Sequence, residues 1–497
     1  MKKLFYISAL ILFFSFFISC KKDKVITSPN AKLTFSQDSI LFDTVFTNIG
    51  STTKLFRVHN RNNGKVNISS IRLARGNASF YRLNVDGVPG KSFSNIEIAA
   101  QDSMYIFVEV TIDPNNQLNP FIYRDSILFD LNGNEQHFDL IAFGQNAYYH
   151  MPNQKIIFNN TSALYYEVEP CGAVWKNDKP HLIYGYAVVD SACTLTIQAG
   201  AKIYLHNSGG IWVYRYGSIN VGVGGSPTNL VTFQGDRLEQ EYKDVPGQWD
   251  RIWINEGSTN NIISYAVIKN GYIGVHAGYA VFDGLPTGNE GLGISNRLNI
   301  NHTIIQNCSY AGILGHFYNI TGGDNVVVNC GQHILEFDYG GNYTFYQCTF
   351  ANYWNQSNNS QASNARTTPS FLFNNYFNGN QLNAFDTLYF GNCILDGSMA
   401  EEFQFDTIAG TALGKEHLKF DHCALKTGSL SYNTPPTYTC QISQTIIYND
   451  KGTYDFSITT TSPPYEAGIS SANGGYFSDI NNLLFNNPKP SMGAYGP

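Results

Sequence analysis

Residues that can hold or move protons lie close together in two short stretches of the chain. His316 stands in GILGHFYN, and His333, Glu336 and Asp338 stand in GQHILEFDYG, with His276 one repeat earlier. Imidazole and carboxyl groups are the usual general acids and bases of enzymes. His316, His333, Glu336 and Asp338 are therefore the candidates for a catalytic or saccharide-binding groove. The alternative is a surface strand whose polar side chains face the solvent.

No complete catalytic motif accompanies these candidates. The N-T-D, D-D, G-H-G and R-I-K blocks of polygalacturonase-like hydrolases are absent, and acidic residues are scattered, so the pair of carboxylates that glycosidic cleavage needs is not evident. A pectate-lyase-like site would need acidic calcium ligands and a basic residue, which the sequence does not bring together. We expect non-catalytic glycan or partner binding. The alternative is a polysaccharide-active lyase or glycoside hydrolase with an unrecognised site.

The elements that must position these residues follow a repeat of 22 residues or a little more. It is marked by the pairs Val267-Ile268, Ile304-Ile305, Val326-Val327, Thr349-Phe350, Ile394-Leu395, Ala424-Leu425 and Ile446-Ile447. Successive pairs are 37, 22, 23, 45, 30 and 22 residues apart. A period in the low twenties, built of β-prone runs and Asn or Gly turns, indicates a solenoid. Because no helical periodicity intervenes, the repeat favours a parallel β-helix.

Two ladders of small or amide residues accompany the repeat. Asn270, Asn307, Asn329 and Asn352 recur at one position, where stacked amides can hydrogen-bond along the axis. Five cysteines recur at positions that Ala, Thr, Gly or Asn fill in other copies: Cys308, Cys330, Cys348, Cys393 and Cys423. A buried free cysteine behaves as a small apolar residue. We therefore expect these cysteines to pack rather than to react.

The spacing of the cysteines argues against a metal site but is compatible with a disulfide. Metal sites use ligand pairs at short spacing such as C-x-x-C, and the chain has none, so we expect no metal and no cofactor. Cys171 and Cys193 lie outside the ladders and are the better disulfide candidates. The alternative pair is Cys308 with Cys330, which would meet across neighbouring turns.

The region before the repeat has a different pattern of apolar and polar residues. Short alternating runs such as MYIFVEVTI (104–112) are separated by polar turns. DSILFDLNGNEQHFDLIAFG (125–144) predicts a hairpin around Asn132-Gly133, because Asn-Gly favours the type I′ turn that matches strand twist. Several such strands predict a small immunoglobulin-like β-sandwich over residues 32–147. We interpret it as a spacer or interaction module.

The first residues indicate export. Two lysines and a short apolar run over residues 1–19 are typical of a secretory signal peptide, and the run is shorter than the roughly 20 residues of a membrane span. FISC (17–20) resembles the lipobox of bacterial lipoproteins, with Phe17 in the usual place of Leu. The resemblance implies that Cys20 is lipidated and that residues 20–31 form a linker. The alternative is ordinary signal cleavage near Cys20. The expected location is the cell envelope, at the outer membrane.

Several stretches after residue 147 resemble one fold family. CTLTIQAGAKIYLHNSGGIWVYRYGSINVGVGGSPTNLVTF (193–233) and PGQWDRIWI (246–254) resemble the first turns of exported β-helix proteins with the pectin-lyase-like fold. SPPYEAG (462–468) and MGAY (492–495) resemble the closing segment of such chains. The resemblance implies an all-β chain with a right-handed parallel β-helix over residues 148–497.

A second resemblance concerns the region before the helix. ILFDTVFTNIGSTTKLFRVHNRNNGKVNISSIRL (40–73) resembles the ASH-like sandwiches of exported bacterial proteins. Neither resemblance implies an activity, because the β-helix fold carries lyases, hydrolases, binding proteins and passive stalks.

The composition of the chain limits the classes of partner that it can bind. Charged residues make up 14% of the chain, against roughly 25% in an average globular protein. The formal net charge of −7 becomes −9 without Lys2 and Lys3, which removes the electrostatic basis for binding nucleic acid. Aromatic residues reach 14%, which excludes general disorder. The expected partners are a polysaccharide or a surface protein, and the sequence carries no indication of the oligomeric state.

A short pattern recurs through both parts of the chain. Seven Asp-Ser or Asp-Thr pairs are each followed by an apolar residue, and this triplet resembles the O-glycosylation sequon of certain Gram-negative bacteria. The implied sites are Ser39, Thr44, Ser103, Ser126, Ser191, Thr387 and Thr407. The alternative is that each triplet is a turn that leads into a strand.

Overall fold

The chain is nearly all β and divides into two compact units, Met1–Asn146 and Ala147–Pro497. The computed structural model describes residues 24–114, 121–158, 162–279, 297–354, 366–377, 380–381, 385–406, 417–431, 435–486 and 488–496. The expected signal peptide and Cys20 lie outside these ranges. Within them, no helix is long and apolar enough to cross a membrane. Short 3-10 turns lie at Gly76–Ala78, Gln240–Tyr242, Lys451–Thr453 and Ser470–Ala472.

The described residues of the first unit form two five-stranded sheets. Its strands are β1 (Thr34–Phe35), β2 (Ser39–Phe46), β3 (Lys54–His59), β4 (Val66–Leu73), β5 (Tyr81–Val85), β6 (Val88–Gly90), β7 (Ser92–Ile98), β8 (Ser103–Val110), β9 (Phe121–Leu131) and β10 (Asn134–Gln145). The sheet orders are β1-β3-β8-β5-β6 and β2-β10-β9-β4-β7. The predicted hairpin is confirmed, since β9 and β10 are antiparallel. Asn132 and Gly133 have φ of 51° and 83°, as a type I′ turn requires.

Alternating side chains of both sheets share one hydrophobic core. Phe56 of one sheet and Phe138 of the other stack with ring centroids 3.9 Å apart, and Phe129 packs edge-on against Phe56. The apolar positions of these strands are buried at every second residue, as a pleated strand with one solvated face requires. The core therefore lies between the two sheets.

The described residues of the second unit form thirty-three strands. They are β11 (Tyr148–His150), β12 (Gln154–Phe158), β13 (Ser162–Val168), β14 (Val174–Trp175), β15 (His181–Ile183), β16 (Tyr186–Val189), β17 (Thr194–Gln198), β18 (Lys202–Leu205), β19 (Gly210–Val213), β20 (Ser218–Val223), β21 (Val231–Gly235), β22 (Ile252–Ile254), β23 (Asn261–Ser264), β24 (Ala266–Lys269), β25 (Ile273–Gly278), β26 (Leu298–Asn301), β27 (Ile304–Gln306), β28 (Ala311–Gly323), β29 (Val326–Val328), β30 (His333–Tyr346), β31 (Thr349–Asn352), β32 (Phe371–Asn374), β33 (Tyr376–Phe377), β34 (Asn380–Gln381), β35 (Phe385–Gly391), β36 (Ile394–Gly397), β37 (Phe403–Asp406), β38 (Leu418–Asp421), β39 (Ala424–Leu425), β40 (Thr437–Tyr438), β41 (Gln441–Ile442), β42 (Tyr448–Asp450) and β43 (Asp455–Ile458).

Most of these strands belong to three parallel columns that the chain visits in turn. The first column is β13, β16, β19, β22, β25, residues 311–316 of β28, residues 333–338 of β30, β32 and β37. The second is β14, β17, β20, β23, β26, the later parts of β28 and β30, β35, β38 and β40. The third is the 11-stranded sheet that runs from β11 to β41. Each turn of the chain adds a strand to the growing columns.

The register of the third column tests the predicted repeat. The first six predicted pairs lie opposite one another in order, from Val267 against Ile304 to Ile394 against Ala424. The seventh was wrong, because Ala424 pairs with Gln441 rather than Ile446. The apolar residue Ile446 packs against the outside of the column instead, and a spacing of 22 residues cannot distinguish the two sides.

Both predicted ladders are present inside the columns. The five ladder cysteines and Cys440 are buried and free, so the packing role is confirmed and the alternative disulfide between Cys308 and Cys330 is not formed. Burial raises the pKa of the Cys393 thiol well above its usual value. In the amide ladder, Asn307 Nδ2 donates to Asn270 Oδ1 at 2.8 Å. Farther along the amide ladder, Asn329 Nδ2 and Asn352 Oδ1 make no hydrogen bond with the described residues, so the axial amide bond is observed between Asn270 and Asn307.

The described residues from Thr445 to Gly496, here called the C-terminal strap, pack against the outer face of the third column between β27 and β39. Ile446 and Met492 pack with Val326, Val328 and other outward residues of that column. Ala494 N donates to Thr349 Oγ1 at 3.0 Å, and Tyr476 OH donates to Asn301 Oδ1. The strap therefore contacts turns of the chain that lie well before it in sequence.

Candidate functional site

The first column brings the predicted residues together on three successive turns. His276 of β25 lies opposite Leu314 of β28, which lies opposite Glu336 of β30. His316 lies directly opposite Asp338. Because alternate residues of these strands fill the core, the predicted side chains share the outer face of the column.

A continuous line of polar contacts joins these side chains. His276 Nε2 lies 3.1 Å from His316 Nδ1, and His316 Nε2 lies 3.4 Å from Asp338 Oδ2. In the other direction, Arg251 Nη1 lies 3.2 Å from His276 Nδ1. Arg251 Nε donates to Asp250 at 3.0 Å. We call this line the polar seam; its members are Tyr186, Asp250, Arg251, His276, His316, Asp338, Glu336 and Tyr310.

The predicted residues are buried, although they lie on the outer face of the column. The exposed fractions are 4% for His276, 6% for His316, 7% for Glu336 and 6% for Asp338. The alternative interpretation as a solvent-facing strand is therefore wrong. Buried ionisable groups persist only where they are paired and hydrogen-bonded, and the polar seam supplies those partners.

Glu336 is the most perturbed member of the seam. Burial, followed by the negative charge of Asp338, raises its pKa to about 8. Tyr310 OH donates to Glu336 Oε1 at 3.0 Å, and Oε2 accepts no hydrogen bond from the residues that the structure describes. Glu336 therefore keeps its proton at neutral pH and faces Asp338 as the protonated member of a carboxyl pair.

His276 and His333 make different polar contacts. Burial, then the nearby charges of His316 and Arg251, lowers the pKa of His276 well below its usual value, so its imidazole is neutral. His333 lies opposite Ala311, outside the seam. Its Nδ1 lies 2.7 Å from the carbonyl oxygen of Pro369 and donates to it, and burial lowers its pKa. Of the four predicted candidates, His333 is thus the one the structure sets apart.

A pocket of about 390 Å³ lies at the other end of the seam. It is lined by Tyr165, Tyr184, Tyr186, Asn207, Ser208 and Asp250 with a few apolar residues. The Tyr165 side chain is 54% exposed, and the Tyr184 ring stacks on His206 with centroids 4.1 Å apart. The volume lies in the lower part of the range of small-molecule sites, roughly 300–1,000 Å³.

Glycines let the backbone approach closely below this pocket. Gly185 has a φ of +68°, and a Cβ there would collide with the carbonyl oxygen of Tyr165. A Cβ on Gly209 would collide with the carbonyl oxygen of Gly185. Tyr186 lies opposite Gly210 on the next turn. The pocket was not predicted from the sequence. Its sequence signal is the pair of segments YGY (184–186) and SGG (208–210).

Arg251 and Tyr310 were also missed. Arg251 stands two residues before Trp253, which lies opposite His276 on the next turn. Tyr310 precedes β28 and reaches Glu336 one turn later. Both contacts follow from the strand register of the first column. The sequence pattern had given a register for the third column only.

The remaining predicted sites fall elsewhere. Cys171 and Cys193 form a disulfide, with Cα atoms 4.9 Å apart. Among the described residues, the group whose donor atoms lie close enough for a metal ion is His150, Glu167 and Glu169.

The Asp-Ser and Asp-Thr triplets lie at varied places in the strands and turns. Ser39 and Ser103 begin strands, Thr44, Ser126 and Thr387 lie within strands, Ser191 is in an exposed turn, and Thr407 lies outside the described residues. In four triplets the Asp carboxylate accepts a hydrogen bond from the next backbone N–H, at 2.7–2.8 Å. This bond reaches only the next residue, whereas an Asx turn joins the carboxylate to the backbone two residues on. Thr44, Ser126 and Thr387 lie within strands, so a turn does not explain those triplets.

Comparison with known proteins gives no family. No protein-family model matches the chain, and no curated protein matches it. Among solved structures, a family 123 glycoside hydrolase from Clostridium perfringens shows 13% identity over 22% of this chain, with a TM-score of 0.16. The chain spans 25% of the length of that hydrolase.

Two further solved structures show similarly low scores. The ASH/PapD-like domain 7 of human CEP192 shows 10% identity over 26% of this chain and 96% of its own, with a TM-score of 0.17. The catalytic domain of a GH87 α-1,3-glucanase shows 10% identity over 82% of this chain and 90% of its own, with a TM-score of 0.19. Likenesses this low carry no argument about function.

Proposed function

We propose that this chain is a cell-envelope lipoprotein that binds a glycan without turnover at the pocket beside Tyr165. The observation that carries the proposal is the composition of that pocket, in which three tyrosines surround an amide, a hydroxyl and a carboxylate. Aromatic faces with a few well-placed polar groups are the usual equipment of small-ligand sites. Sugar rings offer both the apolar face and the hydroxyl groups that such a pocket takes.

The polar groups of the pocket suit hydrogen bonding rather than proton transfer. Burial raises the pKa of Tyr184 to about 12, so its hydroxyl stays protonated and available as a donor. Asp250 is already engaged by Tyr186 and Arg251. A general acid paired with a free base is therefore missing from the described residues that line this pocket.

The proposal includes a specific architecture and location. The three parallel columns support a right-handed parallel β-helix as the second unit, and the two sheets around one core support an immunoglobulin-like, ASH-like sandwich as the first. FISC (17–20) supports lipidation of Cys20 and placement at the outer membrane. O-glycosylation at the Asp-Ser and Asp-Thr triplets stays a prediction.

Replacement of Tyr165 tests the binding site. Tyr165→Ala removes a half-exposed aromatic face, and we expect a 2- to 10-fold rise in the Kd for the glycan, because such aromatic contacts contribute about 0.5–1.5 kcal/mol. Binding is measured by a glycan array and then by calorimetry with the best ligand. Tyr165→Phe keeps the face and should bind normally, as should Tyr216→Ala, which removes a tyrosine that is 66% exposed elsewhere. An equal affinity for Tyr165→Ala would contradict the proposal.

A polysaccharide-active enzyme is the second candidate, and one specific observation favours it. Glu336 is held protonated near neutral pH beside Asp338, which is the state of a general acid. The same glycans are incubated with the protein, and new reducing ends or unsaturated products absorbing in the ultraviolet are measured. Product that forms with the wild type and is absent with Glu336→Gln would show that the protein is an enzyme, which would contradict binding without turnover. Binding without product supports the first proposal.

A further inference from the structure

A compact group of metal-ligand side chains lies at the start of the second unit, apart from the polar seam. His150 ends β11, Glu167 lies in β13, and Glu169 follows that strand directly. One donor atom from each lies within 4.8 Å of the others. The side chains of His150 and Glu169 are 12% and 6% exposed. The group thus combines closeness with low exposure to solvent.

A neighbouring histidine fixes the proton positions of His150. His181 Nε2 lies 3.0 Å from the carbonyl oxygen of Lys176, which can only accept, so Nε2 carries the hydrogen. A neutral His181 with this hydrogen has Nδ1 as an acceptor, and His150 Nε2 donates to it at 3.0 Å.

The other nitrogen of His150 therefore faces an anion. His150 Nδ1 lies 2.8 Å from Glu169 Oε1. With its hydrogen on Nε2, His150 directs the lone pair of Nδ1 at this oxygen, and a metal ion bound by both atoms would remove their repulsion.

Glu167 offers a third ligand atom to such an ion. The residue is partly exposed, but its Oε2 is buried and makes no hydrogen bond with the described residues. A buried oxygen atom without a partner costs free energy. A divalent cation would balance both carboxylates and give Glu167 Oε2 a partner.

We propose that His150 Nδ1, Glu167 and Glu169 bind a divalent first-row transition cation, with zinc as the reference ion. One imidazole and two carboxylates form a mixed nitrogen and oxygen set that zinc accepts, and the set leaves a position for water. The outer contacts suit such a site, since Trp175 Nε1 donates to Glu169 Oε2 at 3.2 Å and His181 orients His150. Partners of this kind fix the tautomer and orientation of metal ligands.

The site would join two columns at the first turn of the second unit. β11 belongs to the third column and β13 to the first. The disulfide from Cys171 begins two residues after Glu169 and reaches the next turn at Cys193. Bound metal would therefore stabilise the end of the solenoid, because an ion that binds only the folded chain shifts the equilibrium towards it.

Calorimetry and thermal unfolding of tag-free, EDTA-treated protein test the site with zinc chloride. We expect binding of one zinc ion per chain and a Tm that rises with zinc concentration. Manganese should bind more weakly, following the order of divalent affinities, and calcium more weakly still, since it prefers an all-oxygen set. No saturable zinc binding would overturn the proposal.

Two variants separate this site from unspecific binding. Glu167→Gln keeps the shape of the side chain and should lower zinc affinity 10-fold or more, with loss of the Tm shift. Glu241→Gln changes an exposed carboxylate of the same unit and should behave as the wild type. Equal zinc affinity in Glu167→Gln and the wild type would overturn the proposal. The protein without zinc serves as the reference for folding of each variant.

Discussion

Single residues on the outer face of the first column carry ionisable groups that are hidden from water. Glu336 and Asp338 were recognised from residue type and from their place one repeat after His316. Tyr310, the partner of Glu336, and Arg251, the partner of His276, were not recognised, since both contacts arise only through the strand register. The proposed metal ligands were missed because His150 and Glu167 lie on strands of different columns and come together only in the fold.

The pH dependence of stability tests the state of Glu336. Its pKa rises from 4.5 to about 8 on folding, so between these values the folded chain keeps a proton that the unfolded chain has released. Stability then falls as pH rises through this window, by at most about 1.4 kcal/mol per pH unit from this residue. Glu336→Gln has no such proton, and we expect its unfolding free energy to fall less between pH 5 and pH 8. Chemical denaturation at four pH values measures the difference.

A matched control guards against a general effect of lost charge. Glu241→Gln removes an exposed carboxylate, and its stability should follow the wild-type dependence on pH. Parallel curves for Glu336→Gln and the wild type would show that Glu336 is ionised in the folded protein.

Among the elements, the third column was the most predictable. Each of its strands must place an apolar residue inside at every turn, so the spacing of the pairs follows the turns even where long loops intervene. The error at Ile446 arose because apolar residues are needed on both sides of this column, inside for the core and outside below the C-terminal strap.

The cysteine ladder gives a test at the level of the element. Cys393→Ala removes one buried atom and should lower the free energy of unfolding by about 1–2 kcal/mol, as a small cavity does. The difference from the wild type should be the same with and without reductant, because Cys393 forms no disulfide. A difference that depends on reductant would contradict the packing role. Val327→Asp should prevent folding, because Val327 is fully buried beside the cysteine ladder and the substitution would bury a charge there.

For the whole molecule, the boundary predicted between residues 147 and 148 lies close to the structural division after Asn146. The alternating pattern and the Asn-Gly turn were enough to predict the hairpin of the first unit. The strand orders of its two sheets were not predictable, because alternation says which face of a strand is buried but not which strand lies beside it.

Lipidation is tested by where the protein is found in cells. Cys20→Ala removes the thiol that would carry the lipid, and we expect the protein to move from the membrane fraction to the soluble fraction. Immunoblotting of fractionated cells measures the distribution. Cys308→Ala changes a buried cysteine of the second unit and should stay with the membrane. Membrane retention of Cys20→Ala at the wild-type level would argue against a lipid anchor.

The C-terminal strap has a consequence for how the second unit folds. Most contacts of a solenoid join neighbouring turns, so such chains can fold progressively from one end. Here Ala494 bonds to a residue 145 positions earlier, and Tyr476 to one 175 positions earlier. Such distant contacts raise the contact order and slow folding. The third column is synthesised long before its cover, so its apolar outer face is exposed to chaperones and to aggregation until the strap emerges.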